Sequence, residues 1–124
     1  MNDLIGVPFV KGGRDRNGLD CWGLCREVYQ RIGGNLPEYG SPDLTGELIE
    51  EKRHSFVRLD APEKYCLVLF RVRPPYATHI GIMLDGQRFI HCSEMKKQVC
   101  IERITHPLWA KRIEGFYRWQ NSNS

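Results

Sequence analysis

Several things are missing from this chain, and each absence excludes a class. No apolar run approaches the length of a membrane span. There is no basic helix or dense Lys/Arg block, and a formal charge of +3 is too small to argue for nucleic acid. The opening Met1-Asn2-Asp3-Leu4-Ile5 has no basic n-region ahead of a long apolar stretch, so the chain reads as made in the cytoplasm without a signal peptide. No repeat or low-complexity segment is visible. The cysteines (Cys21, Cys25, Cys66, Cys92, Cys100) are odd in number and lack both framework-like spacing and a two-residue Cys-x-x-Cys gap. This reads as reduced thiols rather than a disulfide scaffold or a zinc knuckle. A length of 124 residues allows one domain, 1–124, with a frayed tail over about 121–124.

What is present is organised around Gly18-Leu19-Asp20-Cys21-Trp22-Gly23-Leu24-Cys25-Arg26-Glu27-Val28-Tyr29. The preceding Lys11–Gly18 is turn chemistry, with three glycines and little that could bury. Cys21, Leu24, Cys25, Val28 and Ile32 then recur at intervals of three and four, one face of a helix. Asp20 is its natural N-cap, and Gly33-Gly34 stops it. Cys21 therefore falls in the first turn, where orphan N–H groups and the helix dipole favour an anion. A thiol there is expected to ionise more readily than usual, which makes Cys21 a candidate nucleophile. The competing reading is a packed core cysteine.

Leu4–Val10, with Pro8 inside it, is a lead-in segment. Residues 35–43 read as a loop and 45–53 as a short second helix. Strands follow at Phe56–Leu59, Tyr65–Val72, Thr78–Leu84, Arg88–Cys92, Gln98–Arg103 (Val99 and Ile101 on one side) and Gly115–Trp119, with one helical turn at Pro107–Lys111. A helix-rich beginning followed by antiparallel strands is an α+β plan, with one N-terminal helix packed on a sheet of five to six strands.

The Asp85-Gly86 hairpin places the histidines. A two-residue turn would pair positions summing to 171 and set His79 and His91 on opposite faces. A three-residue loop, Leu84-Asp85-Gly86 with Gly86 left-handed, pairs positions summing to 170 and sets them directly opposite each other. The second register also gathers Ile80, Ile82, Leu84, Ile90 and Cys92 on one apolar face, so it is preferred. His79, Gly81, Met83, Phe89 and His91 share the other face, where Gly81 would leave room for a helix terminus or substrate. A thiol at a helix N-terminus with two imidazoles on a strand pair has the make-up of a thiol triad. His54 lies in a charged run and His106 precedes Pro107, and neither is assigned a role. A metal site from Cys21, His79, His91 and Cys92 is disfavoured because Cys92 points away from the histidines in this register.

Gly6-Val7-Pro8-Phe9, Gly12-Gly13, Gly18-Leu19-Asp20-Cys21-Trp22-Gly23-Leu24, Leu67-Val68-Leu69-Phe70, His79-Ile80-Gly81-Ile82 and Phe89-Ile90-His91 together resemble the NlpC-type cell-wall cysteine peptidases, from about Leu4 to Trp119. The Trp after the cysteine and the C-terminal stretch are most similar to compact members from phage and prophage tail-assembly modules. The resemblance implies a papain-like fold, with Cys21 as nucleophile, His79 as general base and His91 as the orienting third residue. It also implies cleavage of a peptidoglycan stem-peptide amide, such as the γ-D-glutamyl–diamino acid bond. No metal or organic cofactor is implied, and tail proteins are implied as partners. Asp20 and Trp22 stand where the family contacts substrate, and the Cys21 N–H would help bind the oxyanion. Arg14, with Lys11 and Arg16, flanks the loop and is available to stem-peptide carboxylates.

Three positions depart from the family pattern: Phe9 for Tyr, Trp22 for Ser, and Cys66-Leu67 for an acidic Gly-Asp. Two other readings stay open, a thiol acyltransferase and a catalytically silent tail assembly or binding domain. Action at the cell wall, delivered by a phage tail, would reconcile such a substrate with the leaderless N-terminus.

Overall fold

The computed structural model describes residues 1–38, 55–72 and 79–119. The proposed second helix at 45–53 lies outside them. A 3-10 turn at Asn2–Leu4 leads to a two-stranded ribbon, β1 (Arg14–Asp15) and β2 (Gly18–Leu19), and then to helix α1 (Cys21–Arg31). After it come β3 (Phe56–Leu59), β4 (Leu67–Phe70), β5 (His79–Met83), β6 (Arg88–Cys92), β7 (Val99–Arg103), the short helix α2 (Pro107–Ala110) and β8 (Ile113–Trp119). The last six strands form one antiparallel sheet in the order β3-β8-β4-β5-β6-β7.

Helix α1 has the expected start and stop. Asp20 caps it by accepting from the Gly23 N–H at 2.7 Å, and Gly33 turns the chain at φ +86°. Its buried stripe of Cys21, Leu24, Cys25 and Val28 packs with Leu69, Ile80, Ile82, Ile90, Cys92 and Val99 on one face of the sheet. The other face carries Cys66, Val68, Phe70, Met83 and Phe89 under Trp109 of α2. Strand β4 contributes to both layers, which is why its sequence is apolar without alternation. It begins later than expected because Tyr65 is left-handed, at φ +68°, and turns the chain into the sheet.

The hairpin corrects the expected register. Ile82 pairs with Ile90 and Met83 with Phe89, so partner numbers sum to 172 rather than 170. The loop is Asp85-Gly86-Gln87, closed by the Asp85 carboxylate accepting from the N–H groups of Gln87 and Arg88, each at 2.8 Å. Gly86 is not left-handed. The side chain of Asp85 supplies the turn that a left-handed glycine was expected to supply. Since the sum stays even, the division of faces survives: the isoleucines meet α1 and the histidines lie opposite.

The glycine loop is fixed from both sides. Pro8 bridges to Gln98 and Phe9 to Leu19, and the Phe9 N–H donates to the Lys97 carbonyl at 2.8 Å. A Cβ at Gly23 would stand 2.2 Å from the Gly13 carbonyl oxygen, so α1 meets this loop through a residue with no side chain.

Candidate active site

Cys21 opens α1 and is 7 % exposed. Its thiol is pushed up to about 12, opposite to the expectation from its helix position. Burial is the main cause and the Asp20 charge adds to it, while the N–H groups of Ile80 and Trp22 pull downward without prevailing. Desolvation of the thiolate outweighs the helix terminus, so the resting sulfur is a thiol. Cys21 belongs to the core that includes Ile80 of β5, the residue after His79. Among the described residues no hydrogen bond joins Cys21 to His79. Cys21 packs in the α1-side core, whereas both imidazoles pack with Phe70, Phe89 and Trp109 of the other core.

His79 and His91 meet, Nε2 to Nδ1, at 2.8 Å. They are two residues off the directly opposed pair: the register sets His91 beside Gly81, where a Cβ would sit 3.1 Å from the His91 Cβ and 3.0 Å from the Ile90 carbonyl oxygen. Gly81 therefore makes room for His91, where a helix terminus or substrate was expected. Burial lowers both imidazoles below their ordinary range; for His79 the neighbouring His91 adds to the effect. Both rings are neutral at pH 7. Trp109 stacks on His79 at 5.6 Å and meets His91 edge-on at 4.9 Å, with Phe70 and Phe89 completing the aromatic wall.

Two residues of this wall carry no assignment from the sequence. The Glu102 carboxylate accepts from His91 Nε2 at 2.5 Å and from the Trp109 indole N–H at 2.7 Å, both on Oε2, while Lys96 Nζ lies 3.1 Å from Oε1. Burial pushes the Glu102 carboxyl up, but the His91, Lys96 and Trp109 donors prevail and hold it at about 2. The signal was in the alternation of β7: with Val99 and Ile101 on one side, Cys100 and Glu102 fall on the other, which is the face of His91. Trp109, on a four-residue helix far along the chain, had no such signal.

The remaining candidates separate. Asp20 is buried, with Oδ2 accepting from the Gly12 N–H at 3.2 Å and Oδ1 ion-paired to Arg14 at 2.6 Å. Arg14 also reaches Glu38 at 2.6 Å, so its charge is met within the chain. Trp22 is 2 % exposed, donates its indole N–H to the Pro37 carbonyl at 2.9 Å and packs edge-on against Trp119. Phe9 is half-buried against the α1-side core. All five thiols are free. The Cys92 thiol turns to the Leu19 carbonyl at 3.1 Å, so it does not join the histidines. His91, Cys100 and Glu102 do bring three possible metal donors within 4.8 Å of one another. However, Glu102 Oε2 already accepts from His91, Trp109 and, at 3.8 Å, the Cys100 thiol, and the Lys96 ammonium supplies the positive charge there. A cation would displace partners rather than complete the set.

Comparison with known proteins finds similar chains and similar folds. A probable endopeptidase of Haemophilus influenzae is 30% identical over 113 residues, 90% of this chain and 65% of that protein. The murein DD-endopeptidase MepS/murein LD-carboxypeptidase of Escherichia coli is 30% identical over 111 residues, 89% of this chain and 54% of that protein. The chain thus spans somewhat over half the length of these relatives. Among solved structures, an NlpC/P60 family protein from Bacillus cereus superposes with TM-score 0.75 at 20% identity, over 97% of this chain and 38% of that one. The NlpC/p60 domain of the peptidoglycan hydrolase SagA gives 0.64 at 24%, over 94% and 91%. A match to the NlpC/P60 family runs through residues 6–118, and the chain belongs to that family.

Proposed function

We propose that this chain is a cysteine peptidase that hydrolyses an amide bond of peptidoglycan stem peptides, with Cys21 as nucleophile, His79 as base and His91 as its orienting partner. The observation that carries the proposal is the 2.8 Å hydrogen bond between His79 and His91 on neighbouring strands, with Cys21 in the core that includes Ile80, the residue after His79. The family and the names of its relatives supply the substrate class.

His79 Nε2 is held by His91, so Nδ1 is the nitrogen left to exchange protons. In the first step the Cys21 thiol proton passes to His79 Nδ1 as Sγ bonds to the scissile carbonyl carbon. The first-turn N–H of Cys21 is assigned to receive the developing oxyanion. His79 then gives the proton to the leaving amine and the C–N bond breaks. Water attacks the thioester, its proton passing to His79 and then to sulfur as the acid is released. Because the resting groups are neutral thiol and neutral imidazole, proton transfer accompanies attack and no standing ion pair is required.

The proposed bond is the γ-D-glutamyl–diamino acid amide. Asp20 and Arg14 are assigned to holding the nucleophile loop, with Phe9 and Trp22 shaping its apolar side. Action at the cell wall, delivered by a phage tail with tail proteins as partners, extends the same reading. Mass spectrometry of defined muropeptides incubated with the protein tests it. Cleavage is expected with the native chain and none with Cys21→Ala. An intact native digest, or cleavage that survives the substitution, overturns the peptidase reading, and acyl transfer to an added amine in place of water would mark a transferase.

A further inference from the structure

We propose that Glu102 is a positioning residue that fixes the proton on both histidines, so that His79 presents Nδ1 to the thiol as a bare acceptor. The proposal rests on the triad reading above and extends it by one residue. A neutral imidazole carries one N–H, so each hydrogen bond in the chain dictates the next. An ionised carboxylate can only accept, and the donors around Glu102 keep it ionised. His91 must therefore donate through Nε2, at 2.5 Å. Its Nδ1 is then an acceptor, and His79 must donate to it through Nε2, at 2.8 Å. The one N–H of His79 is thereby used, and Nδ1 is left with its lone pair.

Without the carboxylate the pair is degenerate. His91 could instead hold its proton on Nδ1 and donate to His79 Nε2, which would place the His79 proton on Nδ1 and remove the base. The indole of Trp109 makes the arrangement one-directional by donating to the same oxygen as His91 and closing the aromatic wall over both rings. Lys96 balances the charge on the other oxygen.

Long-range proton–nitrogen correlation on protein labelled with 15N-histidine reads the tautomers without any need for turnover. In the native protein at pH 7, both His79 and His91 are expected to be protonated on Nε2 alone. In Glu102→Gln the carboxamide can present its NH2 to His91, and a mixture of tautomers is expected on both rings. With it kcat falls roughly 100-fold or more, as when a tautomer-fixing carboxylate is neutralised, and KM changes little. Lys96→Met leaves the His91 bond in place and is expected to keep the native tautomers. The proposal is overturned if native His79 carries its proton on Nδ1, a test independent of any variant, or if a folded Glu102→Gln retains the single native pattern. Native tautomers as described in a protein that cleaves no muropeptide would refute the peptidase reading while leaving the tautomer assignment standing.

Discussion

At the scale of single residues, the groups proposed for chemistry are tuned by burial more than by partners. Cys21 heads a helix, yet its thiol is pushed up to about 12, because a sulfur 7 % exposed loses more hydration than two N–H groups return. The same desolvation keeps His79 and His91 neutral. Space is as tightly allotted as charge. Gly81→Ala would place a methyl 3.1 Å from the His91 Cβ and 3.3 Å from Phe89 Cδ2, with the Ile90 carbonyl behind. A loss of about 1–3 kcal/mol in urea unfolding is expected, with a drop in kcat as His91 is pushed from His79. Unchanged turnover in that variant would show that the imidazole contact has no part in catalysis. From the sequence, Gly81 could be read only as an open place. The register step that gives the space to His91 comes from the Asp85 side chain closing its loop, and no hydrophobic pattern encodes it.

At the scale of elements, one carboxylate joins the glycine loop to the helix. Asp20 accepts from Gly23 and Gly12 and pairs with Arg14 of β1, so a cap, a loop anchor and an ion pair meet on one side chain. Asp20→Ala is expected to cost roughly 2–3 kcal/mol in urea unfolding: the cap alone accounts for about 1, and part of the remainder is recovered because Arg14 keeps Glu38. Asp20→Asn, which retains an accepting oxygen, should lose clearly less. Equal losses in the two variants would mean that the ion pair, and not the cap, carries the stability. The helix itself was legible because cap, stripe and terminating glycine are all local. The hairpin faces were legible because alternation is local too. What β7 brings to His91 needed the pairing of strands, since Glu102 is significant only once Cys100 stands opposite His91.

For the whole molecule, two cores lie on the two faces of one sheet, and the imidazoles belong to the one under Trp109. Acid should therefore unfold the protein in stages. An unfolded chain takes up protons on its histidines as pH falls through 6.5, whereas the buried pair, with lowered values, resists. Stability is thus full above 6.5 and declines below it. Glu102, held at about 2 against an ordinary 4.5, adds stability above 4.5 that is lost between 4.5 and 2. Urea midpoints measured against pH should begin to fall near 6.5 in the native protein and show a weaker fall between 6.5 and 4.5 in a His79→Phe, His91→Phe double variant. A native midpoint flat from pH 7 to 5 would contradict the buried neutral pair.

By itself the amino-acid sequence determined the α+β plan, the capped helix with Cys21 in its first turn, and the common face of His79 and His91. Each of these follows from spacings of two, three or four residues, which one strand or one helix converts directly into direction. Tertiary structure alone decided that Cys21 rests as a thiol, that Gly81 accommodates His91, and that Glu102 and Trp109 stand behind the histidines. Those outcomes depend on how much water is excluded and on which strand lies beside which, quantities summed over distant parts of the chain that no local period records.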